Sequence, residues 1–306
     1  MTQQSNEEAT REESRVALVT CAEIPLLDPD DQPLLDRLAA HGIVAEPAVW
    51  DDPRVDWDAY DLAVLRSPWD YAPRRAEFVA WARRVPRLAN PADTVAWNTD
   101  KRYLADLAAA GVPVVPTTWV SPGEVWHPPV SWEYVVKPAV GAGSLDTGRY
   151  KLTDAEHRAL AEAHVARLQD AGRVVMIQPY LERVDAYGET ALLYLAGPDG
   201  LAYSHAVRKG PMLTGPDRGV DGLYRAEEIV ARTPTDAERE IGQRALAAIP
   251  GGTDGLLYAR IDLIPGADDG PLLVELELTE PSLFLGHANG ATQRLADAIA
   301  ARAAAR

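Results

Sequence analysis

Two short segments hold the residues best suited to chemistry. Arg260 and Asp262 lie two apart in YARIDLIP, and Glu275 and Glu277 lie two apart in PLLVELEL. Along an extended chain, residues two apart point to one face. Each pair therefore shares a face, alternating with apolar Ile261, Leu263, Val274, Leu276 and Leu278. The intervening PGADDG is a turn that predicts a hairpin. Asp262, Glu275 and Glu277 form an all-oxygen donor set with no His or Cys beside it, which suits Mg²⁺ rather than Zn²⁺. The same pattern would also serve the solvated face of an edge hairpin carrying an Arg–carboxylate pair.

Mg²⁺ at one or two carboxylates commonly brings substrate phosphates, and the chain offers a loop to hold them. Lys137 ends a strand-like run and leads into Gly141-Ala-Gly143-Ser144, whose backbone N–H groups can wrap an anion. It is not a Walker A loop. Gly143 to Gly148 has the spacing, but Arg149 and Tyr150 stand where Lys and Ser/Thr are required. Nor is it G-x-G-x-x-G, because Asp146 replaces the third glycine. A plain connecting loop has the same composition.

The charge arithmetic sharpens this. The 306 residues carry 30 basic and 46 acidic side chains, a net charge of −16, yet only Lys101, Lys137, Lys151 and Lys209 are lysines. Where Arg is the default cation, a Lys marks a place for a compact point charge among phosphate oxygens. Lys101 sits at an expected helix start, where the macrodipole gives a cation nothing. Lys209 follows Arg208 at a hairpin end, and Lys151 is assigned no role. The acidic balance argues against sequence-independent binding of nucleic acid or an anionic membrane. One cysteine, Cys21, excludes an intrachain disulfide and a Cys-rich zinc site. No apolar run reaches membrane-spanning length, and the polar, acidic start of the chain is unlike a secretory or transit signal. It reads as a disordered leader on a cytoplasmic protein.

The elements that must position these residues follow in order. Arg15–Thr20, Ile43–Trp50 and Asp61–Arg66 read as strands, with helices over Gln32–His41 and Glu77–Arg83, giving a small parallel α/β unit. Its sites belong at the strand ends, in the loops Cys21–Asp31 and Arg66–Tyr71. A helix over Thr99–Ala110 leads to Val114–Val120, then the strand Glu133–Lys137, the glycine loop, a helix Asp154–Ala171 and the strand Arg173–Gln178. Glu189–Ala196 and Leu201–Arg208 form a hairpin. A loop over Gly210–Gly222 precedes a helix Thr235–Ala248, the hairpin strands Leu256–Ile264 and Pro271–Leu278, and a C-terminal helix.

Taken in order, Lys101, Lys137 with GAGS, QPYL, Glu189, Arg260-x-Asp262 and Glu275-x-Glu277 resemble the ATP-grasp superfamily from about residue 90 to 290. RSPWDY, AWNTDKRYL, GVPVVPT and ELTEPSLFL resemble the branch that contains the O-ureido-serine cyclo-ligase of cycloserine biosynthesis. Bacterial glutathione synthetase and the ribosomal-protein glutamate ligases are similar at greater distance. The resemblance implies an ATP-grasp fold, α+β, preceded by a small parallel α/β domain. The divisions are a leader over 1–14, a substrate-side domain over 15–92, a central subdomain over 93–180 and a C-terminal subdomain over 181–306. Lys101 and Lys137 would bind ATP phosphates under a flap formed by Gly141, Gly143 and Ser144. Gln178, Pro179, Tyr180 and Leu181 would meet adenine, and Glu189 would lie near ribose or phosphate. Asp262, Glu275 and Glu277 would hold two Mg²⁺ ions, Glu277 standing where many members carry Asn.

The activity implied is ADP-forming ligation. A small amino-acid-like carboxylate becomes an acyl phosphate and is captured by a nitrogen, in another molecule or in the same one. Arg260, with Arg208 and Lys209, is expected to assist phosphoryl transfer, and the Gly210–Gly222 loop to act as a lid. Arg66, Ser67, Trp69 and Asp70, with Ser282 opposite, are expected to read the substrate. Related ligases form dimers, which leaves a homodimer open. A phosphotransferase on the same scaffold, or a silent nucleotide-binding protein, are the alternatives.

Overall fold

The computed structural model describes residues 13–129, 132–219, 223–224, 227–268 and 270–305. Most of the expected leader and the end of the expected lid loop, residues 220–222, lie outside them. The chain first builds a parallel sheet from β1 (Ser14–Thr20), β2 (Ile43–Val49), β3 (Leu62–Ser67) and β4 (Leu88–Ala89), in the order β2-β1-β3-β4. Helices α1 (Pro33–Ala40) and α2 (Arg75–Ala82) connect it. Leu62–Ser67 is buried at every position, the signature of a strand covered on both faces.

The expected helix over Thr99–Ala110 starts later, as α4 (Tyr103–Ala109), and a further short helix, α3 (Ala92–Asn98), precedes it. Tertiary hydrogen bonds separate the two. The Asn98 amide donates to Leu276 O at 2.7 Å and its Oδ1 accepts from Leu278 N at 2.7 Å. Lys101 N donates to Ala139 O at 2.8 Å, outside any helical ladder. Only Thr118–Val120 (β5) of the expected Val114–Val120 strand joins the central sheet. Just before it, Val115 N and Pro113 O bond to Leu273.

The central layer contains β5, β6 (Glu133–Pro138), β7 (Gly148–Lys151) and β8 (Val175–Pro179), ordered β5-β8-β6-β7 and antiparallel. Helix α5 (Ala155–Asp170) covers it through Ala161, Val165 and Leu168. Asp154 caps that helix by accepting from Glu156 N and His157 N, satisfying donors with no intrahelical partner. After α6 (Arg183–Tyr187) come β9 (Glu189–Gly197), β10 (Gly200–Lys209), β11 (Ile229–Arg232), α7 (Asp236–Ala247), β12 (Tyr258–Pro265), β13 (Pro271–Glu277) and α8 (Ala291–Ala304). Their sheet runs β11-β10-β9-β12-β13.

Strand β9 explains how this sheet is buried on both sides. Leu192 and Tyr194 pack with Ile241 and Ala245 of α7, while Leu193 and Leu195 pack with Leu295 and Ile299 of α8, as a period of two requires. The α8 cluster also contains Leu34, Leu38 and Val64. The N-terminal sheet thus shares a core with the C-terminal one. Among the described residues no helix is long and apolar enough to cross a membrane.

Candidate active site

The last hairpin forms as expected, and its register sets Arg260 opposite Glu277 and Asp262 opposite Glu275. Strand β13 is an edge, and edges need their backbone groups covered. Asn98 covers Leu276 and Leu278, and the Tyr103 hydroxyl accepts from Leu276 N at 2.9 Å. That grip carries Lys101 to the hairpin. Its Nζ lies 2.9 Å from Glu275 Oε1 and donates to Gly141 O of the glycine loop at 2.7 Å.

A cavity of about 400 Å³ opens here, within the range of small-molecule sites. One end is lined by Val135, Gln178, Pro179, Tyr180, Leu181 and Leu213. Gln178 donates to the Thr117 hydroxyl at 3.0 Å, and the Arg149 guanidinium lies 3.6 Å over the Tyr180 ring. The middle holds Lys101, Lys137, Gly141, Gly143, Ser144, Glu189, Lys209, Arg260, Glu275 and Glu277. The far end is walled by Trp69, Tyr71, Glu280, Ser282 and Phe284.

The charges in the middle are interlocked. Arg260 pairs with Asp262 at 2.9 Å and with Glu277, and donates to Ser282 O at 3.2 Å. Lys209 pairs with Glu189 and lies 3.1 Å from Asp262. Burial works against ionising Glu275, but Lys101 and Lys137 outweigh it and hold the carboxyl low. Burial likewise opposes Asp262, and Arg260 and Lys209 overcome it. Glu277 is pushed up to about 8 by burial and by Glu275 and Asp262, against Arg260. Glu189 is raised to about 7 by burial, against Lys209. Lys137 is pushed down by burial, with Lys101 and Lys209 adding to it, and it has no ion-pair partner among the described residues.

The expected metal set needs correction in its arrangement. Among the described residues no three His, Cys, Asp or Glu side chains form a ligating group. Asp262 is 1% exposed behind Arg260 and Lys209 and is absent from the cavity wall. Carboxylates this close repel, and each has turned to a cation. The donors still suit Mg²⁺, since Glu275 and Glu277 offer oxygen ligands and the elevated Glu277 marks negative charge that a divalent cation would relieve.

Several other expected site residues do different work. Arg208 points away from Lys209 and donates to Tyr187 O at 2.8 Å, off the cavity wall. Arg66 is fully buried, 3.0 Å from Asp31 and 3.1 Å from Pro281 O, so it joins the N-terminal sheet to the 279–285 segment and is not a carboxylate clamp. Ser67 is buried against the Thr20 hydroxyl at 3.0 Å. Asp70 accepts from Trp50 Nε1 and pairs with Arg74 at 2.6 Å, which leaves it no amine-binding role on the wall. Trp69 and Ser282 do reach the cavity. Sequence reasoning missed Tyr71 and Glu280, both inside the quoted RSPWDY and ELTEPSLFL segments, because no periodicity marks a residue in a turn.

Three parts of the chain meet over the cavity. Gly143 has φ +61°, and a Cβ there would lie 2.2 Å from Leu223 O, so the glycine is required by both backbone and space. Beside it Trp69 packs edge-on against Tyr224, centroids 5.3 Å apart. From the 210–219 segment, Gly215 O accepts from Arg149 N at 2.8 Å, tying that loop to the central sheet.

Comparisons with known proteins agree with this architecture. Residues 16–90 match the family described as D-cycloserine synthetase DcsG, N-terminal domain. The cycloserine biosynthesis protein DcsG of Streptomyces lavendulae is 43% identical over 305 residues, covering 94% of this chain and 98% of the relative. A crystal structure of D-cycloserine synthetase DcsG superposes with a TM-score of 0.81 at 39% identity, over 95% of this chain and all of that one. A RimK domain ATP-grasp protein from Sphaerobacter thermophilus shares the fold alone, with a TM-score of 0.63 at 19% identity over 93% of this chain and 98% of that one. With a cavity lined by an apolar strand end, a lysine-flanked glycine loop and an acidic hairpin, the chain belongs to the D-cycloserine synthetase DcsG family and has the ATP-grasp fold.

Proposed function

We propose that this protein closes O-ureido-serine into the cycloserine ring through an acyl phosphate, in the cytoplasm. The observation that carries the reading is the continuity of one cavity from the adenine-type slot, past Lys101, Lys137, Lys209 and Arg260, to a small chamber walled by Trp69, Tyr71, Glu280 and Phe284. The relative's role in cycloserine biosynthesis supports an amino-acid-like substrate there.

In this reading, Lys101 and Lys137 would hold the ATP phosphates under the Gly141–Ser144 loop, and Glu275 and Glu277 would hold Mg²⁺, with Asp262 fixing Arg260 and Lys209 behind them. Mg²⁺, when bound, neutralises phosphate oxygens. The substrate carboxylate oxygen takes the γ-phosphoryl group and ADP departs. The side-chain nitrogen next to oxygen then attacks the acyl carbon, loses its proton, and inorganic phosphate leaves with the former carboxylate oxygen. Arg260 stabilises charge on the transferring group and on the tetrahedral oxyanion. The closed contact of Gly143 with Leu223 keeps water from the acyl phosphate. Reaching cycloserine further requires hydrolytic loss of the carbamoyl group as carbon dioxide and ammonia.

Incubation with ATP, Mg²⁺ and each enantiomer of O-ureido-serine, beside an amino-acid panel, tests this. ADP, phosphate and ring product in equal amounts are expected. A stable phosphorylated product would make the protein a phosphotransferase instead, and ATP binding without ADP under any substrate would make it a silent binder.

A further inference from the structure

Glu280 stands apart from the carboxylates that face ATP. It lines the chamber end of the cavity and has no ion-pair partner among the described residues. Its neighbours hold it in place. The buried Tyr71 lies close enough to its carboxylate to lower that group's pKa, and Trp69 Nε1 donates to its backbone carbonyl at 3.0 Å. The other acids on this side are already used: Asp30 accepts from Leu285 N and Gly286 N, and Asp28 accepts from Asp30 N. Tyr71, with its ionisation suppressed by burial and then by Glu280 itself, remains a donor. One donor leaves most of the carboxylate's acceptor capacity to a ligand.

We propose that Glu280 is the specificity-determining acceptor for the substrate's α-ammonium group, oriented by Tyr71 and Trp69. This deepens the proposed function and rests on its placement of the amino acid in the chamber. The site suits a cation: among the described residues no Lys or Arg forms an ion pair with Glu280, Lys101 and Arg260 act on it only through their fields, and a partly buried carboxylate without a paired cation favours a positive ligand. Arg260 donates to Ser282 O, two residues further along the same segment. That bond ties Arg260 of β12 to the segment that carries Glu280, so one amino acid could meet an ammonium acceptor on the segment and a cation for its carboxylate on the strand beside it. Burial raises Glu280 to about 7, with Tyr71 opposing, and an arriving ammonium would restore full ionisation.

The test compares O-ureido-serine with 3-ureidooxypropanoate, which lacks only the amino group, with ADP and Mg²⁺ present for binding and with ATP and Mg²⁺ present for turnover. The readouts are equilibrium binding and, where turnover occurs, kcat and KM. Wild type is expected to favour the amino compound by about 100-fold, as a charge-assisted contact in a buried site does. Glu280→Gln is expected to bring that preference within about fivefold, through KM rather than kcat, with ATP affinity unchanged. Tyr71→Phe, which keeps the carboxylate, should reduce the preference by about tenfold or less and keeps the idea testable if E280Q is unstable. An unchanged preference in E280Q, or a loss confined to kcat, overturns the assignment. Intact discrimination in binding without ring closure would sink the proposed reaction and leave the ammonium site standing.

Discussion

The Lys101 ammonium bridges two parts of the chain, lying 2.9 Å from Glu275 Oε1 on the last hairpin and 2.7 Å from Gly141 O in the glycine loop. Lys137, on the neighbouring strand, has no such pairing among the described residues, and burial makes its charge costly. The two lysines are therefore predicted to differ when mutated. Lys137→Ala should weaken ATP binding by about tenfold or more while leaving the melting temperature without nucleotide unchanged or higher, since an uncompensated buried charge is removed. Lys101→Ala should weaken ATP binding and also lower the unliganded melting temperature, because Glu275 is stranded. Lys151→Ala should do neither. Calorimetric titration with ATP, paired with thermal unfolding, reads both effects.

Glu275 lines the cavity and is held ionised by Lys101 and Lys137, which makes it the carboxylate through which the Mg²⁺ assignment is tested. Glu275→Gln should lower ADP release by about 100-fold or more, the scale of losing one preorganised electrostatic group. Chelation of Mg²⁺ in wild type should abolish it. Steady-state ADP release against Mg²⁺ concentration is the measurement, and full activity of E275Q would remove this residue from the metal site.

Arg66 supplies a prediction about stability. Its guanidinium is fully buried against Asp31 and the Pro281 carbonyl, 5.2 Å over the Tyr258 ring. Arg66→Ala strands a buried carboxylate and should cost about 3–5 kcal/mol, read as a lower denaturation midpoint in urea. A substrate clamp would instead raise KM in a protein of normal stability.

His164 makes the fold sensitive to acid. Its ring, 4% exposed, shares a 2.8 Å hydrogen bond with the Tyr150 hydroxyl, and Nε2 is 4.0 Å from Asp217, beyond hydrogen-bonding range. Burial, then Arg167, lowers its pKa from 6.5 to about 4. The folded state keeps the ring neutral between those values while the unfolded chain takes up a proton. Stability is therefore complete above pH 6.5 and falls as pH drops toward 4, by about 3 kcal/mol. Urea unfolding across this range should show the slope, and His164→Gln should flatten it.

The sequence by itself determined most of the longer strands, the last hairpin and the shared faces of Arg260 with Asp262 and of Glu275 with Glu277, because side-chain direction in a strand follows from a period of two. It also marked Lys101 and Lys137, since rarity of a residue type is readable without coordinates. It missed α3 and started the next helix too early, because Asn98 and Tyr103 bond the edge of a strand more than 170 residues away. For the same reason Arg66 and Asp70 read as free substrate contacts until Asp31, Pro281, Trp50 and Arg74 took them. The net charge of −16 said that an anionic ligand needs local cations. Only the tertiary structure decided how acids and cations pair inside the cavity and left Glu280 facing the chamber, because hydrogen bonds between distant segments have no period along the chain.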